Sequence, residues 1–115
     1  MSDQIEIQLP KTRVEEETAF NAVAYFRTRA TKAALAPTTV HYRVDCLSTR
    51  QEIQDWTSVS AAANVTITIT SAFNQILNGD KSWERKQLIV KADTGLSTQV
   101  IKSATWIVDN LSGIT

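Results

Sequence analysis

The sequence predicts an all-β chain, an antiparallel two-sheet β-sandwich of about seven strands. Three observations carry this. Val, Ile and Thr supply 34 of the 115 residues, and such β-branched side chains fit pleated, half-buried strands better than helices. Apolar and polar residues alternate in short runs spaced about 8–15 residues apart, the period of a strand with one buried face. The intervals between runs are too short for the crossover helices of a parallel sheet. With 3 Gly, 2 Pro and 1 Cys, the chain is neither collagen-like, nor a Pro/Gly-rich linker, nor a disulfide-stapled miniprotein. Its 43% hydrophobic residues suffice for a core, and folding is expected to remove roughly 65% of the surface from water. The length suits one domain, read as an N-terminal strand and arm over 1–17 and a sandwich over 18–115.

Gln4 to Leu9 alternates with period two and stops at Pro10, which suits an edge strand. Lys11 to Glu17 is charged and reads as a solvated stretch or turn. Residues 19–36 admit two readings. At helical spacing Ala19, Ala22, Val23, Phe26, Ala30, Ala33 and Ala34 form a stripe, with Glu15, Glu16 and Glu17 at the positive end of the dipole and Pro37 beyond the far end. At strand spacing Phe20, Ala22, Ala24 and Phe26 share a face, with Val23 and Tyr25 on the other.

From Thr39 the strand signal is plain. Val40, Tyr42, Val44 and Cys46 alternate with His41, Arg43 and Asp45. A polar turn at 48–52 leads to the short strand Ile53–Thr57 and a small-residue connection over 58–63. Asn64 to Thr70 is the strongest run, apolar on one face and a threonine ladder on the other. Ala72, Phe73, Ile76 and Leu77 suit one helical turn, followed by the turn Asn78-Gly79-Asp80. Lys86–Asp93 is the next strand, with Leu88, Val90 and Ala92 in phase. After the loop Thr94-Gly95-Leu96-Ser97, Thr98–Leu111 is the last, with Val100, Ala104, Trp106 and Val108 in phase.

Twelve basic residues balance twelve acidic ones, so no global field draws the chain to nucleic acid or an anionic membrane. No apolar run reaches the ~18 residues of a membrane span, and the polar N-terminus lacks the pattern of a signal peptide. The chain is expected to be made in a cytoplasm and not to be exported by a cleaved leader. Cys46, the sole cysteine, suits a small core position. The glycosylation patterns at Asn64 and Asn110 are read as accidental, with Asn64 opening a strand.

Each motif with a catalytic reputation lacks its partners. Asp93-Thr94-Gly95 has the triplet of dimeric aspartic proteases, whose chemistry needs two carboxylates sharing a proton. The 20 residues after Gly95 are too few for the flap and second glycine turn of such an enzyme, and an ordinary β-turn is preferred. His41, the only histidine, falls on the opposite strand face from Cys46, which defeats a Cys-His pair. One His and one Cys cannot build a zinc site, and Glu15–Glu17 lacks the spaced ligands of a calcium loop. Asn78 to Ser82 lacks the phosphate-loop spacing. The cluster Arg27, Arg29 and Lys32 is too small for a nucleic-acid stripe. The chain is therefore expected not to be an enzyme and to need no metal or cofactor.

Trp56 and Trp106 read as core residues. Trp83 lies in the polar run Asp80–Arg85, where an exposed tryptophan anchors a protein interface or a sugar ring, or else caps the core. Trp83, Glu84, Arg85, Tyr25 and Arg27 are thus the candidate partner-contact residues.

Val40-His41-Tyr42-Arg43-Val44-Asp45, then Trp56, then Val65–Ile69, then Leu88–Ser97 resembles the strand series of a fibronectin type III or immunoglobulin-like sandwich over roughly residues 38–110. It departs from the fibronectin pattern, which has a tryptophan on the second strand; Tyr25 or Phe26 takes that place. The whole chain also resembles short stand-alone virion proteins of tailed bacteriophages, on Ala36-Pro37-Thr38-Thr39-Val40 and Tyr42-Arg43-Val44-Asp45. That resemblance implies that Phe20 to Thr28 is a strand. It also implies a structural role in the virion after synthesis in the host cytoplasm. The chain would be a capsid decoration or cement protein, or a head–tail junction component, present in many copies. Its partners would be the major capsid protein or connector and tail proteins. A neutral Ser/Thr-rich surface and exposed strand edges suit such docking, with 1–17 as an arm that orders on a neighbour. The alternative is a tail-associated or host-glycan-binding module built on Trp83.

Overall fold

The computed structural model describes residues 4–27, 33, 36–78, 80, 82–93 and 99–110. Among them eight strands are present: β1 (Gln4–Gln8), β2 (Arg13–Glu15), β3 (Phe20–Arg27), β4 (Thr39–Cys46), β5 (Gln51–Val59), β6 (Asn64–Ile69), β7 (Trp83–Asp93) and β8 (Gln99–Asp109). A single 3-10 turn, Ser71–Asn74, follows β6. Two sheets form, a three-stranded one in the order β1-β3-β6 and a five-stranded one in the order β2-β8-β7-β4-β5. They pack face to face as the expected all-β sandwich.

The period-two pattern explains the core. On β3, Ala22, Ala24 and Phe26 point inward, and on β6, Val65, Ile67 and Ile69 do so. They meet Val40 and Val44 of β4, Leu88, Val90 and Ala92 of β7, and Trp106 and Val108 of β8. Phe20 and Trp106 join the sheets edge to face, with ring centroids 5.3 Å apart. The strand reading of residues 20–27 is therefore the one adopted, and the helical alternative fails over that span. The threonine ladder of β6 faces outward, where the Thr68 hydroxyl donates to Asn21 Oδ1 across the strand pair. The expected loop 94–97 lies outside the described residues, as does most of 28–36.

The edge strand read over Gln4–Leu9 is β1, at the edge of the three-stranded sheet with Ile5 buried. Two expectations are corrected. Lys11–Glu17, read as solvated, contains β2, which runs parallel to β8 through Arg13↔Ile107, Val14↔Val108 and Glu15↔Asp109. One apolar residue among charges is too short a signal to reveal a strand. This pair is the exception in a sandwich that is otherwise antiparallel among the described pairings. Trp56 does not enter the core. The β4–β5 ladder slips between Tyr42 and Asp45, and such a bulge turns side chains to a new face. Lys91 Nζ lies 4.2 Å from the centre of the Trp56 ring.

Candidate functional site

The Asp80–Arg85 run, expected as a loop, is half strand. Trp83 opens β7, pairing with Asp109 of β8, and alternation then sends Trp83 and Arg85 outward and Glu84 inward. Trp83 remains 43% exposed, whereas Glu84 is 0% exposed. Glu84 therefore cannot meet a partner; its burial corrects its place among the contact residues. Tyr25 and Arg27 sit on the outer face of the other sheet. The Arg27 guanidinium lies 5.7 Å from the Tyr25 ring centre and 3.8 Å from the Glu6 carboxylate. Phe20, at the end of β3 that meets Trp106, is seven residues from Arg27, about 23 Å along an extended strand. The five candidates thus divide into two separate places, and one of them is internal.

Glu84 belongs to a polar cluster beneath the connection from β6 to β7. Its Oε1 accepts from Lys86 Nζ at 2.9 Å and from the Leu77 N–H at 2.9 Å, and its Oε2 accepts from the Asn78 N–H at 2.8 Å. Lys86, also 0% exposed, donates to the Gln75 carbonyl at 2.8 Å. The Cys46 thiol donates to Glu84 Oε1 at 3.7 Å, and Cys46 is buried as the sequence suggests. Nearby, Asn74 Oδ1 accepts from the Trp106 indole at 2.7 Å. The Asn74 amide donates to the Thr18 carbonyl, and its own carbonyl accepts from the Glu17 N–H at 2.9 Å. Burial alone pushes the Glu84 carboxyl up. The Leu77 N–H, the Lys86 ammonium and the Asn78 N–H outweigh it and leave Glu84 below the usual carboxylate range. Every polar atom of this carboxylate is bound to a structural partner, so its chemistry is that of a brace and not of an acid or base catalyst.

The outer face of the five-stranded sheet is the larger candidate surface. The β7–β8 hairpin pairs without interruption from Trp83↔Asp109 to Asp93↔Gln99, a ladder about 35 Å long. It presents Trp83, Ile89, Ile101 and Ile107 outward between polar residues, and Ile101 is 62% exposed. Several cations of this face are engaged within it. Arg43 holds Asp45 at 3.0 Å and reaches Asp55 at 4.0 Å, and Lys91 covers Trp56. At the sheet's edge Arg13 forms a fork with Asp109 at 2.6 and 2.8 Å, which raises the guanidinium's pKa further. These contacts offset the charge of Arg43 and Arg13 locally. His41 lies on the same face, half-buried beside Arg43.

Two shallow hollows flank the face. One, about 480 Å³, is lined by Lys11, Arg13, Val14, Glu15, Thr18 and Asp109. The other, about 230 Å³, is lined by Arg43, Asp45, Leu47, Arg50 and neighbouring residues. Each is occupied at its rim by an Arg–Asp pair. Among the described residues no three His, Cys, Asp or Glu side chains are placed to hold a metal ion, and no helix is long and apolar enough to cross a membrane.

The inward Glu84 and Lys86 were the residues that sequence reasoning missed. Their signal was phase: Glu84, Lys86, Leu88, Val90 and Ala92 form one unbroken alternation. Opposite charges two apart on the buried face of a strand are neighbours that can neutralise each other. A scan of protein-family models and searches of curated proteins and solved structures found no match to this chain.

Proposed function

We propose that the chain is a non-enzymatic structural module of a tailed-phage particle, a capsid decoration or cement protein or a head–tail junction component, docked in many copies on other virion proteins. The strand order, β1-β3-β6 against β2-β8-β7-β4-β5, supports the immunoglobulin-like resemblance, in which a three-stranded sheet faces one built around a central hairpin. The observation that carries the docking reading is the outward row of the β7–β8 hairpin. Trp83 and Ile101 stand exposed on a nearly neutral ladder whose root is braced by Glu84 and Lys86. Exposed aromatic and aliphatic anchors on a rigid element suit a protein interface. Quantitative mass spectrometry of purified particles is the test. Tens to hundreds of copies per virion is the expected result, and absence from virions refutes the assignment. The exposure of Trp83 also supports a second reading, a glycan-binding module. Glycan-array binding abolished by Trp83→Ala would favour it, and no binding would exclude it.

A further inference from the structure

We propose that the outer edge of β6, together with the inner face of β5, is a slot for one extended strand of a partner chain. The two sheets differ in width. β1 lies against β8, on the side of the five-stranded sheet away from β5, and its own sheet is two strands narrower. β5 overhangs, and none of its nine residues is fully buried. Ile53 and Val59 touch the core yet remain half-exposed.

The hydrogen-bonding parity of β6 points into this gap. The Phe26 N–H donates to the Ala63 carbonyl at 2.9 Å, and the ladder continues in register to Phe20↔Ile69. In an antiparallel pair alternate residues bond to opposite sides. Val65, Ile67 and Ile69 therefore bond to β3, and Asn64, Thr66 and Thr68 direct their N–H and C=O groups to the open edge.

The edges of the two sheets are not equally protected. β1 carries Glu6, paired with Arg27, and meets Pro10. β5 carries Glu52 and Asp55 and a slipped register, and β2 consists of Arg13, Val14 and Glu15. Charge, proline, shortness and bulges are the usual means of keeping an edge from pairing. Asn64–Ile69 has none of them. A second copy pairing here would bring its own β5 against this one, so the edge is assigned to a single strand. The occupant is an extended, uncharged segment of about six residues. Main-chain bonds to Thr66 and Thr68 would hold it, with β-branched side chains at alternate positions over Ile53 and Val59. This edge is separate from the outward β7–β8 row and does not depend on the particle: a chain absent from virions can still bind a strand, and one present in them can fail to.

The probe is a synthetic peptide copying residues 64–70 with a lysine at each end, and the readout is site-resolved amide exchange of the full chain. When about 90% of the chain is bound, the Thr66 and Thr68 amides are expected to slow about tenfold, with β1 unchanged. Thr66→Pro removes an edge-facing N–H and no ladder bond to β3, so it should fold normally and lose the protection. Thr68→Lys should weaken it. The proposal is overturned by equal protection at β1, by no protection at saturating peptide, or by Thr66 and Thr68 amides that are already slow in the isolated chain. Dimerisation of the isolated chain through β6 would overturn it too.

Discussion

The connection from β6 to β7 and the edge of β6 are neighbours in sequence and opposites in construction. Residues 75–78 have no regular structure, yet the Gln75 carbonyl and the Leu77 and Asn78 N–H groups bond to Lys86 and Glu84 inside the protein. β6 is a regular strand, yet the main-chain groups of Asn64, Thr66 and Thr68 point away from β3 and have no partner among the described residues. Solvent access explains the difference. A main-chain group cut off from water must find a protein partner, even when that partner is a buried ion pair. A main-chain group left in water need not, and it stays available to another chain.

The largest effect is expected from breaking the brace. Glu84→Gln leaves Lys86 buried without its counter-charge and should cost about 3–5 kcal/mol, read as a shift in the denaturation midpoint. Replacing both residues with apolar ones, Glu84→Leu with Lys86→Met, removes both charges but leaves the main-chain groups of residues 75–78 unpaired. Each such group costs about 1–3 kcal/mol, so recovery should be only partial. Full recovery would show that the pair serves only itself.

Leu88→Ala, further along the same face of β7, is the apolar comparison. It should cost about 2–5 kcal/mol, with no dependence on pH. Glu84 introduces such a dependence. Its carboxyl is lowered in the folded state, so the stability it contributes is complete above the unfolded value of about 4.3 and is lost as the pH falls through the folded value. Urea titrations at decreasing pH should show this loss in the native chain. The double substitution, Glu84→Leu with Lys86→Met, should abolish the part due to Glu84.

The smallest effect belongs to the open surface. Lys91→Ala removes the cation over Trp56 and should cost about 0.5–1 kcal/mol. The change is best read from the tryptophan fluorescence and the melting midpoint together.

Much of the sandwich was legible in the sequence because burial imposes period two. Phe20, Ala22, Ala24 and Phe26, and likewise Val65, Ile67 and Ile69, show their inner face directly. What escaped is what period two does not encode. β2 is too short to show a period, and its parallel partner lies 94 residues away. The inward turn of Glu84 and Lys86 depends on the shape of a connection whose polar groups the linear pattern does not display. Trp56 misled because a slipped register exchanges the faces of a strand. Of the five contact candidates, Trp83 and Arg85 do face outward on the hairpin, while Tyr25 and Arg27 occupy the other sheet.

Site-resolved amide exchange of the isolated chain tests the contrast most directly. The Leu77 and Asn78 amides, held by Glu84 within irregular structure, are predicted to exchange slowly, near the rate set by global opening. The Thr66 and Thr68 amides, within a regular strand, are predicted to exchange fast. Fast exchange at Leu77 and Asn78 combined with slow exchange at Thr66 and Thr68 would contradict the account.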